Sequence, residues 1–237
     1  MSEPADSVDH TGPRACIYSD SVEVLQQLAP FLRQFEEMLQ QGGGEAAIRL
    51  FGMHTAMKSC CERLTARIER QLTQPRDCAQ RWRGWPVVGY AAGEMAALVD
   101  EATVAARLVL CQRDSSAAGN LVVGAVSLVR RFHCELVHGY ARRRPCPEDF
   151  VARHVSEFQH SLRGAEWQLV TASLQKRQHG KTVVNRLLLL NRLEQMFFHL
   201  VNINAVLKSQ FSACISRDEG YGTVVSPQFA GVKGIVS

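Results

Sequence analysis

The chain has 237 residues, 46% of them hydrophobic and 7% aromatic, and a net charge of +4. That length suits one large domain or two small ones. The charge is too mild to single out nucleic acid or an anionic membrane as a partner. Alanine, leucine, arginine and glutamine are plentiful, whereas threonine, tyrosine and isoleucine are sparse. That bias favours helix over strand.

The longest uninterrupted run of large apolar residues is Leu187 to Leu190, far too short to cross a bilayer, so no membrane span is expected. The first twenty residues carry Glu3, Asp6, Asp9 and Asp20 and no apolar stretch. They lack the features of a secretory signal, and the expected setting is intracellular, cytoplasmic or nuclear. The cysteines are scattered with no CxxC pair, which suits reduced, partly buried thiols. The vicinal Cys60 and Cys61 read as two small helix residues rather than a redox pair.

Residues 1–18 are polar and are expected to be disordered. Asp20 followed by Glu23 resembles a capping box and opens the first predicted helix. Its seam is Leu25, Leu28, Leu32, Phe35 and Leu39, with Pro30 predicting a kink or short break. Gly42 to Gly44 then form a joint, after which residues 19–41 would dock loosely. The second helix runs from about Glu45 to Leu72, with Ala47, Leu50, His54, Met57, Cys61, Leu64 and Ile68 inward. A loop with Trp82 and Trp85 follows. The third helix, about Val88 to Arg113, has an alanine-rich seam that lets a neighbour approach closely.

The fourth helix, about Leu121 to Ala141, turns Val122, Val126, Val129, His133, Leu136 and Tyr140 inward. A basic loop, Arg142 to Pro145, leads to Pro147, Glu148 and Asp149, which start the fifth helix. That helix extends towards Arg177, with a weak point at Gly164, and Gly180 stops it. The sixth, Thr182 to Phe211, has apolar residues over an arc of roughly 220°, about twice what a surface helix needs. Residues 212–237 are glycine-rich and are expected to be non-helical. The predicted fold is all-α: an antiparallel up-and-down bundle of about six helices over 19–211, with a long central C-terminal helix.

Few constellations point to chemistry. Gly180-Lys181-Thr182 resembles the end of a phosphate loop, but position 175 is Gln and helix precedes it. Glu135/His138 and Glu157/His160 have the spacing of di-iron carboxylate bundles, yet both pairs point away from their seams. His54, His133 and His154 each fall on the apolar seam of a different helix. Convergence at one level would make them a metal site; otherwise each is a core histidine bonded to a carbonyl. No serine lies in a nucleophile elbow and no acid–base pair stands out, so no catalytic residue and no cofactor is assigned.

Arg142, Arg143 and Arg144 form the densest positive cluster, but stacking aromatics are missing apart from Tyr140, which disfavours nucleic acid. Trp82 and Trp85 either plug the bundle end or present an aromatic–arginine patch. The polar strip of the last helix, Asn191, Gln195, His199 and Asn202, is largely uncharged, as suits a strip covered by the tail, a partner or a ligand. Glu194, Asn204 and Lys208 fall inside the apolar arc and need partners. These features favour a non-catalytic interaction, adaptor or assembly protein with a protein partner or a second copy. The alternatives are a carrier holding a lipid or other apolar ligand between helices, and a metal- or thiol-dependent enzyme.

Overall fold

A computed structural model describes residues 13–41, 44–73, 85–110, 119–142, 144, 146–175 and 180–218. Among these residues there are six helices and no strand. They are α1 (Pro13–Gln41), α2 (Gly44–Leu72), α3 (Trp85–Leu110), α4 (Gly119–Ala141), α5 (Glu148–Leu174) and α6 (Gly180–Asp218). No described helix is long and apolar enough to cross a membrane.

The apolar seams meet in one core. Leu25, Leu28, Leu32, Phe35 and Leu39 of α1 are fully buried, as are Val126, Val129, Leu136 and Tyr140 of α4. Helix α1 is therefore an integral wall rather than a loosely docked helix. It begins at Pro13, inside the stretch expected to be disordered, and stays one helix through an exposed Pro30. Proline there lacks a helix hydrogen bond only on the solvent side, where the freed carbonyl is open to solvation. Helix α5 likewise continues through Gly164. Helix α6 runs seven residues past Phe211, and Trp85 is the first residue of α3 rather than part of a loop. Periodicity locates the middle of a helix better than its ends, because terminal turns need no buried face.

Helices α1, α2 and α3 all touch one another, and so do α4, α5 and α6. The two trios join through α1 against α4 and α3 against α6, while α3 and α4, consecutive in sequence, share no contact among the described residues. Exchanging α1 with α4, α2 with α5 and α3 with α6 leaves this pattern unchanged. The contact pattern of the second three helices thus repeats that of the first, although no sequence repeat announces it. Side-chain pairs give the directions. His54 of α2 meets Asp100 of α3, while Ile68 lies beside Gly89, so these helices run antiparallel. Glu94 and Glu101 of α3 meet His199 and Arg192 of α6 in the same opposed order.

Within the second trio, Phe197 of α6 stacks on Phe158 of α5, with ring centroids 4.2 Å apart, and tilts against Phe132 of α4 at 5.3 Å. Leu189, Leu190, Leu193, Met196 and Leu200 are fully buried beside it. Most of the wide apolar arc of α6 is covered by α3, α4 and α5, while Phe198, Val184 and Leu188 stay exposed. An arc covered on several sides by protein needs no ligand to explain it.

Candidate functional site

The α3–α6 seam takes up two residues of the polar strip read from the sequence of α6, His199 and Asn202. His199 Nδ1 lies 2.8 Å from Glu94 Oε2, and the Asn202 amide donates to the same oxygen at 3.0 Å. Tyr90, one helical turn before Glu94, also hydrogen-bonds its carboxylate. Burial pushes the Glu94 carboxyl up, but the donors His199, Asn202 and Tyr90 outweigh it and hold the group below its ordinary value. The Tyr90 hydroxyl is raised in turn, chiefly by its bond to Glu94. Two turns along, Arg192 donates from one nitrogen to both oxygens of Glu101, at 3.0 and 3.2 Å. Helix α3 therefore covers the His199 and Arg192 part of the strip. Asn191 and Asn202 are exposed, and Gln195 is half-buried.

The three seam histidines take three different partners. His133 is buried, and its Nε2 bonds the Leu25 carbonyl of α1 at 2.9 Å. Desolvation lowers its pKa to about 4, against the raising effect of that carbonyl and with a small push from Arg130. His154 is buried too, but its Nδ1 bonds the Phe150 carbonyl of its own helix and its ring lies 4.0 Å from that of Phe150. His54 is half-buried and reaches Asp100 at 2.8 Å, with Lys58 also on Asp100 at 3.5 Å. Among the described residues no set of three His, Cys, Asp or Glu side chains is arranged to hold a metal.

The remaining sequence candidates are dispersed. Arg142 and Arg144 are exposed on the turn after α4, where the Arg144 N–H donates to the Gly139 carbonyl at 2.7 Å. Arg143 and Trp82 lie outside the described residues, as does the side chain of Trp85. Glu135, His138, Glu157 and His160 are all exposed. The thiols of Cys61 and Cys146 are pushed up to about 11, mainly by burial, which keeps them protonated and poorly nucleophilic at neutral pH.

Two of the three polar residues inside the α6 arc find partners. The Asn204 side-chain oxygen accepts the Cys146 N–H at 3.1 Å, and Lys208 pairs with Glu148. The Glu194 carboxyl is raised, first by desolvation and then by Glu166. Sequence reasoning missed the acceptors Glu94, Asp100 and Glu101 on α3. The available signal was three carboxylates within eight positions of an otherwise apolar, alanine-rich helix, which must find donors on its neighbours.

Large apolar side chains stay in water on the helices themselves. Trp167 is 72% exposed, Leu174 79% and Ile48 71%, with Val170 and Val184 also exposed. Trp167, Val170 and Leu174 share one face of α5, opposite its buried His154, Phe158, Leu162 and Ala165.

No protein-family model matches the chain, and no curated protein matches it in sequence. Among solved structures it is similar to the crystal structure of PhoU from Pseudomonas aeruginosa, at a TM-score of 0.74 and 16% identity. That similarity covers 85% of this chain and 98% of the other. At this identity the match concerns architecture: the chain is an all-helical bundle with the fold seen in PhoU.

Proposed function

We propose that the chain is a non-catalytic helical interaction protein, acting as an adaptor or assembly component through its outer helix faces. The observation that carries the reading is the placement of Trp167, Val170 and Leu174 in solvent on one face of α5, where no other described helix packs on them. Isolated exposed apolar residues are ordinary, but an exposed tryptophan with two aliphatic neighbours on one helix face is the composition of a protein-binding surface. The polar constellations support it as well. Glu94, Glu101, Asp100 and Glu36 are engaged by His, Arg, Lys or Asn from neighbouring helices, which is structural pairing rather than a poised acid or base. The reduced thiols Cys60, Cys61, Cys134 and Cys146 suit an intracellular setting, which belongs to the same proposal.

The test is light scattering after size exclusion, combined with recovery of bound proteins from an extract of the source cells. The wild type is expected to self-associate or to retain a specific protein. A Trp167→Glu, Leu174→Glu, Ile48→Glu variant with an unchanged circular dichroism spectrum is expected to lose that association. A monomeric wild type that retains nothing would overturn the reading.

A further inference from the structure

The outward face of α5 carries a second line of residues at helix-pairing spacing, distinct from its core seam. His160, Arg163, Trp167, Val170 and Leu174 follow in alternating steps of three and four, with Arg153 two turns earlier on the same line. All six are exposed. Helix α5 touches only α4 and α6, so among the described residues nothing in the chain covers this face. The line is polarised: its first half is basic and its second apolar. No carboxylate lies on the line itself between Arg153 and Leu174; Glu157, four residues after Arg153, and Glu166, three after Arg163, flank it on opposite sides. Arg163 makes no ion pair among the described residues, whereas Arg153 lies 5.7 Å over the Phe150 ring.

We propose that this face docks an amphipathic α-helix of a partner protein, with apolar residues at 3–4 spacing against Trp167, Val170 and Leu174 and carboxylates against Arg163 and Arg153. The proposal rests on the interaction reading above and adds the surface and the chemistry of the partner. Alternating steps of three and four are the spacing at which the ridges of one helix enter the grooves of another. An acidic complement follows from charge, because a partner helix that aligns with the apolar half extends over the two arginines. A second copy fits poorly. Parallel pairing about a twofold axis sets Arg153 and Arg163 against their own equivalents. Antiparallel pairing along the whole line sets Arg153 opposite Leu174 and His160 opposite Trp167.

The experiment uses two labelled synthetic helices of about 21 residues with leucines at 3–4 spacing, one carrying glutamates and the other lysines at the positions facing the arginines. Binding to the full chain is followed by fluorescence anisotropy. The glutamate helix is expected to bind, and Trp167→Glu or Leu174→Glu to weaken it by about tenfold or more. Arg163→Glu is expected to weaken the glutamate helix and strengthen the lysine helix. These substitutions are on an exposed face, and unchanged thermal unfolding confirms the fold. Equal binding of both helices, or no binding of either, overturns the proposal. So does self-association of the free chain that Trp167→Glu abolishes, which would give the face to a second copy. Binding to phosphatidylserine vesicles that the same variants abolish would give it to a lipid surface, and also overturns it. A natural protein partner that still binds Trp167→Glu defeats this assignment and leaves the interaction reading standing; a chain that engages no protein defeats both.

Discussion

Glu94 and His199 lie 105 residues apart in the chain and 2.8 Å apart in space, joining the third helix of one trio to the third helix of the other. The carboxylate also takes Asn202 and Tyr90, so three donors from two helices converge on one acceptor. This junction holds the two trios in register. Because the folded carboxyl titrates below its ordinary value of 4.5, its contribution to stability is fully present above that value. It is lost as pH falls towards the folded value, since the unfolded chain takes up the proton first. Glu94→Gln is expected to cost about 1–2 kcal/mol at neutral pH and to flatten the acid limb below 4.5. Urea denaturation at pH 7 and pH 4 measures this; identical acid slopes in the two proteins would count against it.

His133 also loses stability as pH falls, but through burial of its neutral form rather than pairing of a charge. It is buried neutral against the Leu25 carbonyl with a pKa near 4, whereas an ordinary histidine titrates at 6.5. Between those values the unfolded chain binds a proton that the folded chain refuses, so stability falls as pH drops through 6.5 and levels off near 4. The total effect is on the order of 3 kcal/mol. His133→Gln, whose amide can still reach the carbonyl, is expected to remove that slope while leaving most of the stability at pH 7. The difference between wild type and variant in unfolding free energy, measured at several pH values, isolates this one group.

Glu36 of α1 is buried and is held by Arg130 and Ser127 of α4, the Ser127 hydroxyl donating at 2.6 Å. Arg130→Ala leaves a buried carboxylate without its cation. The guanidinium is about a third exposed, which screens it, so the expected loss is about 2 kcal/mol rather than the larger value of a fully buried pair. The double variant Glu36→Met, Arg130→Met is expected to recover most of that loss by replacing the charges with apolar volume. A double variant no more stable than Arg130→Ala would contradict this.

Glycine substitutions in helices separate propensity from packing. A Cβ on Gly139 would run into the Arg144 carbonyl, where the chain folds back after α4. Gly139→Ala is therefore expected to destabilise by about 1–3 kcal/mol, although helix propensity alone predicts a gain. Gly52 and Gly164 are exposed and have open space at the Cβ position, so alanine there is expected to stabilise by about 0.5–1 kcal/mol. Thermal unfolding of the three single variants decides the signs.

The inward faces were readable from the sequence because a helix can bury only one stripe and the 3–4 spacing identifies it. In α4 all six predicted inward residues, Val122 to Tyr140, are buried. In α2 the predicted seam is buried except His54, which turns out to Asp100. Helix ends were less legible: α1 starts before its capping box and α6 passes Phe211, because backbone hydrogen bonds can continue a helix where no side chain is buried.

The sequence by itself determined an all-helical chain, the stripe each helix buries, and the need of Glu194, Asn204 and Lys208 for an outlet from an apolar arc. Only the tertiary structure decided which helices are neighbours. The α1–α4 and α3–α6 contacts bring together residues about a hundred positions apart, and periodicity carries no information about the partner of a buried stripe. The same limit governs the candidate surface. Trp167, Val170 and Leu174 lie off the buried stripe of α5, but only the assembled bundle shows that no other described helix packs on them. Burial is a property of the assembled bundle, and so is what the bundle leaves exposed.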